Sequence, residues 1–157
     1  IDIGIMGTPP EDTNIQSEVI GTHRLIFVAH PNHPLCQLDR ELTPKELIKH
    51  QLIAREVGSG TRLAMAAYFG ALFHQATRPP IVLDTNEGIK QSILAGIGIS
   101  LLSDATCELE LNHGLLKTLP VEGTPLDRQW YAVRLANLER NPAEQSLLRF
   151  LAMQAER

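Results

Sequence analysis

"DTNEGIKQSILAGIGISLLS", Asp84–Ser103, decides how the rest of the chain is read. Asp84 or Thr85 can cap a helix, and Glu87, three after Asp84, completes an Asp-x-x-Glu box. Ile89 and Ile93 then recur at helical spacing, and Gly96 supplies a left-handed stop. "IGISLL" is a nearly continuous apolar run, the pattern of a strand covered on both faces. Just upstream, Pro79-Pro80 leads into "IVL", a strand over Ile81–Leu83. Strand, helix and strand in succession make a βαβ unit, which calls for a sheet with helices laid over it.

"REVGSGTRLAM", Arg55–Met65, repeats the arrangement one unit earlier. It leaves the strand "QLIAR" and enters a helix predicted over residues 61–74. Leu63, Ala66, Ala67, Gly70 and Ala71 form a small stripe on that helix; Met65, Tyr68, Phe69, Leu72 and Phe73 form a bulky one. Apolar character on two sides predicts burial on two sides. Thr43, Pro44 and Glu46 carry a full helix-start signature, and Asn141, Pro142 and Glu144 do the same for a last helix reaching Glu156. Ser103 is expected to cap a helix running to about Asn112 and stopping near Gly114. Further strands are expected at Ile1–Met6, His23–His30, "LLKTLPV" and "RQWYAVRL", with "EDTNIQ" as loop. The resulting order is β β α β α β α β α β β α, an α/β fold with mostly parallel strands and short loops.

The bulk properties narrow the function. The 157 residues suffice for one ordinary domain or two small lobes. Apolar residues at 43% and charged residues at 20% belong to a globular protein. With a net charge of −4 and no Lys/Arg stripe, this stretch is a poor grip for nucleic acid. Cys36 and Cys107 make no disulfide framework, which fits a reducing cytoplasm. No apolar run of membrane-spanning length occurs, so no membrane partner is expected. The chain opens at Ile1, directly in a strand-like run, which leads us to expect a segment of a longer protein.

Ligands of open α/β sheets sit off the carboxyl ends of strands. Four such ends carry small or polar residues: Gly7-Thr8, Gly58 to Arg62, Asp84 to Asn86, and Ser103. Three open a helix, so their first-turn amides and positive dipole ends invite a carboxylate or phosphate. Gly58 and Gly60 allow close backbone approach, Ser59 and Thr61 offer hydroxyls, and Arg62 offers a two-pronged donor. On spacing alone the competing reading is equally good: Ser59 caps the helix and Arg62 is a solvated first-turn side chain.

"REVGSGTR" followed by "DTNEGIKQSILAGIGISLLS" resembles the effector-binding domain of LysR-type transcriptional regulators. "DIGIMGTPP", "HPNHPL" and "DRQWYAVR" are similar, within that family, to regulators of RuBisCO and carbon-fixation operons. The resemblance implies a periplasmic-binding-protein-like (type 2) two-lobe fold with the effector held between the lobes. Laid on this chain, residues 1–28 and 122–157 are a partial first lobe and residues 29–121 the second, with crossing strands near 25–29 and 116–121. The family's N-terminal helix-turn-helix, linker helix and early first lobe have no counterpart here, so a truncated first lobe is expected. The effector contacts carried over by position are Gly7 and Thr8 on the first lobe, and Ser59, Gly60, Thr61, Arg62, Thr85 and Asn86 on the second. The implied effector is a small anion: a sugar phosphate, an organic acid or NADPH. The implied assembly is a homo-oligomer, dimer or tetramer, touching DNA only through the helix-turn-helix. The bulky stripe of the 61–74 helix, or the helix starting at Asn86, is a candidate surface for another subunit. The same fold also serves solute-binding proteins of transport systems, which is the alternative reading.

Other chemistries are set aside. "GIGIS" lacks the third glycine of a dinucleotide loop and lies between helix and strand, the wrong order. "VGSGT" is no nucleophile elbow, because Val57 and Thr61 stand where glycines are needed. His30 and His33 in "HPNHP" read as a turn rather than a zinc pair. No catalytic residue, metal site or cofactor is therefore expected, and the chain is not read as an enzyme.

Overall fold

The computed structural model describes residues 3–138 and 141–155, so the expectations at Ile1, Asp2 and Glu156 lie outside the described residues. The strands are β1 (Gly4–Met6), β2 (Ile15–Ala29), β3 (Ile53–Arg55), β4 (Ile81–Leu83), β5 (Ser100–Ser103), β6 (Lys117–Thr118) and β7 (Leu126–Leu135). The helices are α1 (Pro44–Leu47), α2 (Gly60–Phe69), α3 (Asn86–Leu94), α4 (Glu108–Asn112) and α5 (Pro142–Ala155). Short 3-10 turns occupy Pro34–Gln37, Gly70–Gln75 and Ala105–Cys107. The chain divides into two compact units, Ile1–His23 with Asp127–Arg157, and Arg24–Leu126.

In the Arg24–Leu126 unit, the second half of β2 is covered on both faces. Leu25, Phe27 and Ala29 join Ile99 and Leu101 in one core with Met65 and Phe69 of α2. Ile26 and Val28 join Leu102 in a second core with Ile89 and Ile93 of α3. Successive strand residues point to opposite faces, so one apolar run feeds two cores. β5 pairs antiparallel with β2, from Leu25↔Ser103 to Val28↔Ser100. β3 and β4 pair in parallel, from Ile53↔Ile81 to Arg55↔Leu83, and Leu52 bridges Ile99 in parallel. Ser100 is fully buried, and its hydroxyl donates to the Ile53 carbonyl at 2.7 Å. That bond supplies the partner a buried hydroxyl needs.

In the other unit, β1 pairs antiparallel with β7, from Gly4↔Val133 to Met6↔Tyr131. Leu148 of α5 packs with Ile20 and Ala132. The α5 start is capped: Asn141 Oδ1 accepts the Glu144 amide at 2.8 Å.

Several expectations are corrected. The ladders β1–β7, β2–β5 and β2–β6 are antiparallel, so the strands are not mostly parallel. The parallel ladder is β3–β4, two consecutive strands joined by a crossover through α2. β2 begins at Ile15, within the stretch read as loop. The predicted 61–74 helix ends at Phe69, because Gly70 turns to φ +52° and the chain tightens into a 3-10 turn. Its bulky stripe is spent inside its own unit, with Met65, Phe69 and Phe73 buried; Leu63 of the small stripe is 52% exposed. Ser103 ends β5, and Asp104 caps the next turn instead, accepting from the Ala105 amide at 2.8 Å. Glu87 completes no box; it accepts from Gln91 and pairs with Lys90.

Gly98 lies where β5's approach crosses the Gln51 backbone: a Cβ there would stand 2.3 Å from the Gln51 carbonyl oxygen. That carbonyl accepts the Ile99 amide at 3.0 Å, so it cannot simply withdraw. Gly98→Ala is expected to cost about 1–3 kcal/mol, the range for forced overpacking. The check is a lower urea midpoint at unchanged slope.

The His33 and His50 rings meet edge to face at 4.9 Å. Burial lowers both pKa values below the usual 6.5, with His50 adding to the shift at His33 and Lys49 to that at His50. Folding thus favours the neutral rings, and the unfolded chain takes up protons first as pH falls. The contribution is complete above pH 6.5 and is lost as pH drops below it. Glu46 is held down at about 2 by its hydrogen bond from Arg40, and Glu110 is lowered by Lys90. Their contribution is lost in a lower window, below the usual 4.5. Denaturation midpoints measured from pH 8 downward are expected to fall in two stages. The double variant His33→Asn, His50→Gln should erase the upper stage alone.

Candidate functional site

The candidate positions follow the C-terminal ends of β3 and β4, which lie side by side in parallel. Leaving β3, the chain turns at Gly58, whose φ of +96° favours glycine. Ser59 is the N-cap of α2, with extended backbone, and its hydroxyl makes no capping bond. Its carbonyl already accepts from the Leu63 amide at 3.0 Å. The amides of Gly60, Thr61 and Arg62 form the first turn, where no carbonyl of their own helix is available to them. Ser59, Gly60, Thr61 and Arg62 are all half-buried. The helix start therefore offers amides together with the Ser59 and Thr61 hydroxyls.

Arg62 departs from the two-pronged role. Its guanidinium lies over the Phe73 ring, 4.8 Å from the centroid, and its Nη1 is buried without a hydrogen-bond partner. Such a cation–π contact is worth about 0.5–2 kcal/mol, enough to hold the side chain along its own helix.

After β4, Thr85 caps α3, and its Oγ1 accepts the Gly88 amide at 3.0 Å. A Cβ on Gly88 would come within 2.9 Å of that oxygen, so the cap and the glycine fit as a pair. Asn86 Oδ1 accepts from Arg55 Nη1 at 2.7 Å. Arg55 also grips Glu56 in two-pronged fashion, Nε to Oε2 at 2.7 Å and Nη2 to Oε1 at 3.0 Å. This hydrogen bonding holds the Glu56 carboxyl below its usual range. Arg55 ties the end of β3 to the first residue of α3, so the 59–62 and 85–86 segments share one end of this small sheet. Sequence reasoning overlooked Arg55, because its partner lies 31 residues away.

Gly7 and Thr8 belong to the other unit. They follow β1 and line a hollow with Thr22, Asp127, Arg128 and Tyr131. Arg128 Nη2 donates to Thr8 Oγ1 at 3.1 Å. Arg128 was also absent from the sequence-derived candidates; the only signal was its place in "DRQWYAVR", a strand whose partner could not be read locally.

The histidines of "HPNHP" are engaged in turns. His30 Nδ1 accepts the Asn32 amide at 3.1 Å, and His33 Nδ1 accepts the Leu35 amide at 3.2 Å. Among the described residues, no group of three or more His, Cys, Asp or Glu side chains is placed to hold a metal.

Residues 1–156 match the model of the LysR substrate binding domain. The HTH-type transcriptional regulator CbbR of Xanthobacter flavus is 41% identical over 96% of this chain and 45% of its own length. The RuBisCO operon transcriptional regulator of Allochromatium vinosum is 36% identical over 100% of this chain and 51% of its own length. The chain thus spans about half the length of these curated relatives. Among solved structures, the regulatory domain of CcmR from Synechocystis PCC6803, in complex with 2-PG, superposes with a TM-score of 0.81. It is 32% identical, over 99% of this chain and 74% of that one. A reduced form of OxyR from N. meningitidis has a TM-score of 0.79 at 22% identity, a likeness of fold. The architecture is accordingly the type 2 periplasmic-binding-protein-like α/β fold, and the chain belongs to the LysR substrate-binding domain family.

Proposed function

We propose that this chain is the effector-sensing part of a LysR-type transcriptional regulator and recognises a small anionic metabolite. The candidate effector contacts are Gly7, Thr8, Ser59, Gly60, Thr61, Arg62, Thr85 and Asn86. The observation that carries the reading is the start of α2: Ser59 leaves its hydroxyl out of the cap, above first-turn amides that have no partner in their own helix. An anion satisfies those amides and meets the positive end of the helix dipole. A sugar phosphate, an organic acid or NADPH has the required charge. CcmR, 32% identical, was solved with 2-PG.

The parent protein, on this proposal, controls carbon-fixation genes in the cytoplasm as a homo-oligomer, dimer or tetramer. It meets DNA through a helix-turn-helix outside this chain. The names of the relatives support the operon class. A transport role, the alternative open to this fold, has no support among them. No helix among the described residues is long and apolar enough to cross a membrane. Effector action requires only that the ligand bind one arrangement of the protein better than another.

The test is a thermal-shift panel on the full-length protein with phosphorylated sugars, phosphoglycolate, dicarboxylates and NADPH. At about a hundred times Kd a ligand adds about 2.7 kcal/mol, a readily measured shift. At least one anion is expected to shift the melting temperature. Flat responses throughout, with shifts from apolar aromatics instead, would overturn the reading. Thr61→Val should weaken the responding anion about tenfold, the loss of one charge-assisted hydrogen bond. Ser59→Ala should also lose affinity, with no turnover to lose in an activity panel.

A further inference from the structure

The hollow beside Gly7 and Thr8 has a volume of about 420 Å³, room for a small metabolite. Its lining carries one cation, Arg128, and one carboxylate, Asp127. Arg128 is half-buried and Asp127 exposed. The β1–β7 register ends at Met6↔Tyr131, and just beyond it Arg128, near the start of β7, reaches the Thr8 hydroxyl.

Hydrogen-bond bookkeeping then gives the site a polarity. A guanidinium only donates, so in the 3.1 Å contact the Thr8 oxygen accepts. The hydroxyl hydrogen of Thr8 is left to donate elsewhere, and Thr8 is exposed at the hollow. Arg128 keeps N–H groups beyond the one used on Thr8. The two side chains together present adjacent donors, one of them charged, with no acceptor needed in return. That set matches a phosphate or carboxylate, whose oxygens only accept when ionised. Gly7, on the lining, lies beside Trp130: a Cβ there would meet Trp130 Cζ3 at 4.0 Å, and Trp130 stacks on His23 with ring centroids 4.5 Å apart.

We propose that Arg128 reads the charge of the effector on this unit, with Thr8 as the co-donor it orients. The ligand class is a small organic molecule bearing a phosphate or carboxylate. Asp127 opposes the same anion from the rim and limits how much negative charge the hollow accepts. The proposal rests on the effector-sensing reading and adds to it the residue that decides charge.

The experiment measures dissociation constants on the full-length protein for phosphoglycolate, malate, NADPH and inorganic phosphate, at low and at physiological ionic strength. The variants are Arg128→Gln, Arg128→Lys, Thr8→Val and Asp127→Asn, each first checked for its ligand-free melting temperature. Arg128→Gln is expected to weaken an organic anion at least about tenfold and to flatten its salt dependence. Arg128→Lys should recover part of the loss, since the charge remains and the fork does not. Asp127→Asn should tighten binding about two- to fivefold, the scale of an exposed charge. A merely structural role for these residues would not produce effects of opposite sign. If the wild type binds an anion and Arg128→Gln stays within twofold, the assignment of Arg128 falls and the sensing reading stands. If the wild type binds none of the anions, both fall. Inorganic phosphate binding as tightly as the organic anions would overturn the organic ligand class. If Arg128→Gln does not fold, Thr8→Val and Asp127→Asn decide: a loss and a gain support the proposal, and two unchanged affinities overturn it.

Discussion

Burial of one short strand segment on both of its faces underlies the Arg24–Leu126 unit. Leu25–Ala29 is buried throughout and hands alternate side chains to the α2 core and the α3 core. Neither helix could hold its position without that shared layer, since each packs an apolar stripe that a helix cannot bury alone. The Ser100 hydroxyl on the Ile53 carbonyl, and the Ile99 carbonyl accepting the Ile53 amide at 2.9 Å, tie β3 into the same layer. The ends of β3 and β4 are thereby held where helices α2 and α3 begin. The candidate site is a consequence of how the core is layered, not a feature added to it.

Most polar groups at these strand ends are already spent on holding the backbone. Thr85 caps α3, Asn86 receives Arg55, Arg55 neutralises Glu56, and Arg62 lies on Phe73. The groups that remain include the first-turn amides of α2, the hydroxyls of Ser59 and Thr61, and Arg62 Nη1, which has no hydrogen-bond partner. Substitutions of the spent residues would act first through the helix starts and only then through binding. Thr85 and Asn86 therefore carry the weakest claim to direct effector contact, although their segment lies beside the α2 start.

What was legible in the sequence is local. The α1 and α5 starts and the Gly96 stop follow from a few neighbouring residues, and each is found: Gly96 takes φ +75°, and Thr43 and Glu46 form their box. The twofold burial of "GISLL" was legible because an uninterrupted apolar run has no solvent face to offer. The strand directions were not, because β5, one antiparallel partner of β2, lies about 75 residues downstream and no local pattern encodes it. The helix predicted through residue 74 failed at Gly70, where apolar periodicity continues into a 3-10 turn and masks the break. Arg55 and Arg128 were invisible for the same reason as β2's partner: their roles are defined by residues 31 and 120 positions away.

The two units differ in the kind of donor they offer, and the difference has a physical consequence. Around α2 the nearest strand-end cation, Arg55, is tied up by Glu56, and the charge of Arg62 is turned onto an aromatic face. That end offers amides and hydroxyls on a half-buried backbone, dipoles whose interactions salt screens weakly. At the Gly7–Thr8 hollow the donor is a guanidinium with a carboxylate neighbour on the rim, and both fields reach into solvent. The net charge of −4 on this chain gives no long-range pull on an anion. An anion at the Gly7–Thr8 hollow would feel added salt more strongly than one at the α2 start.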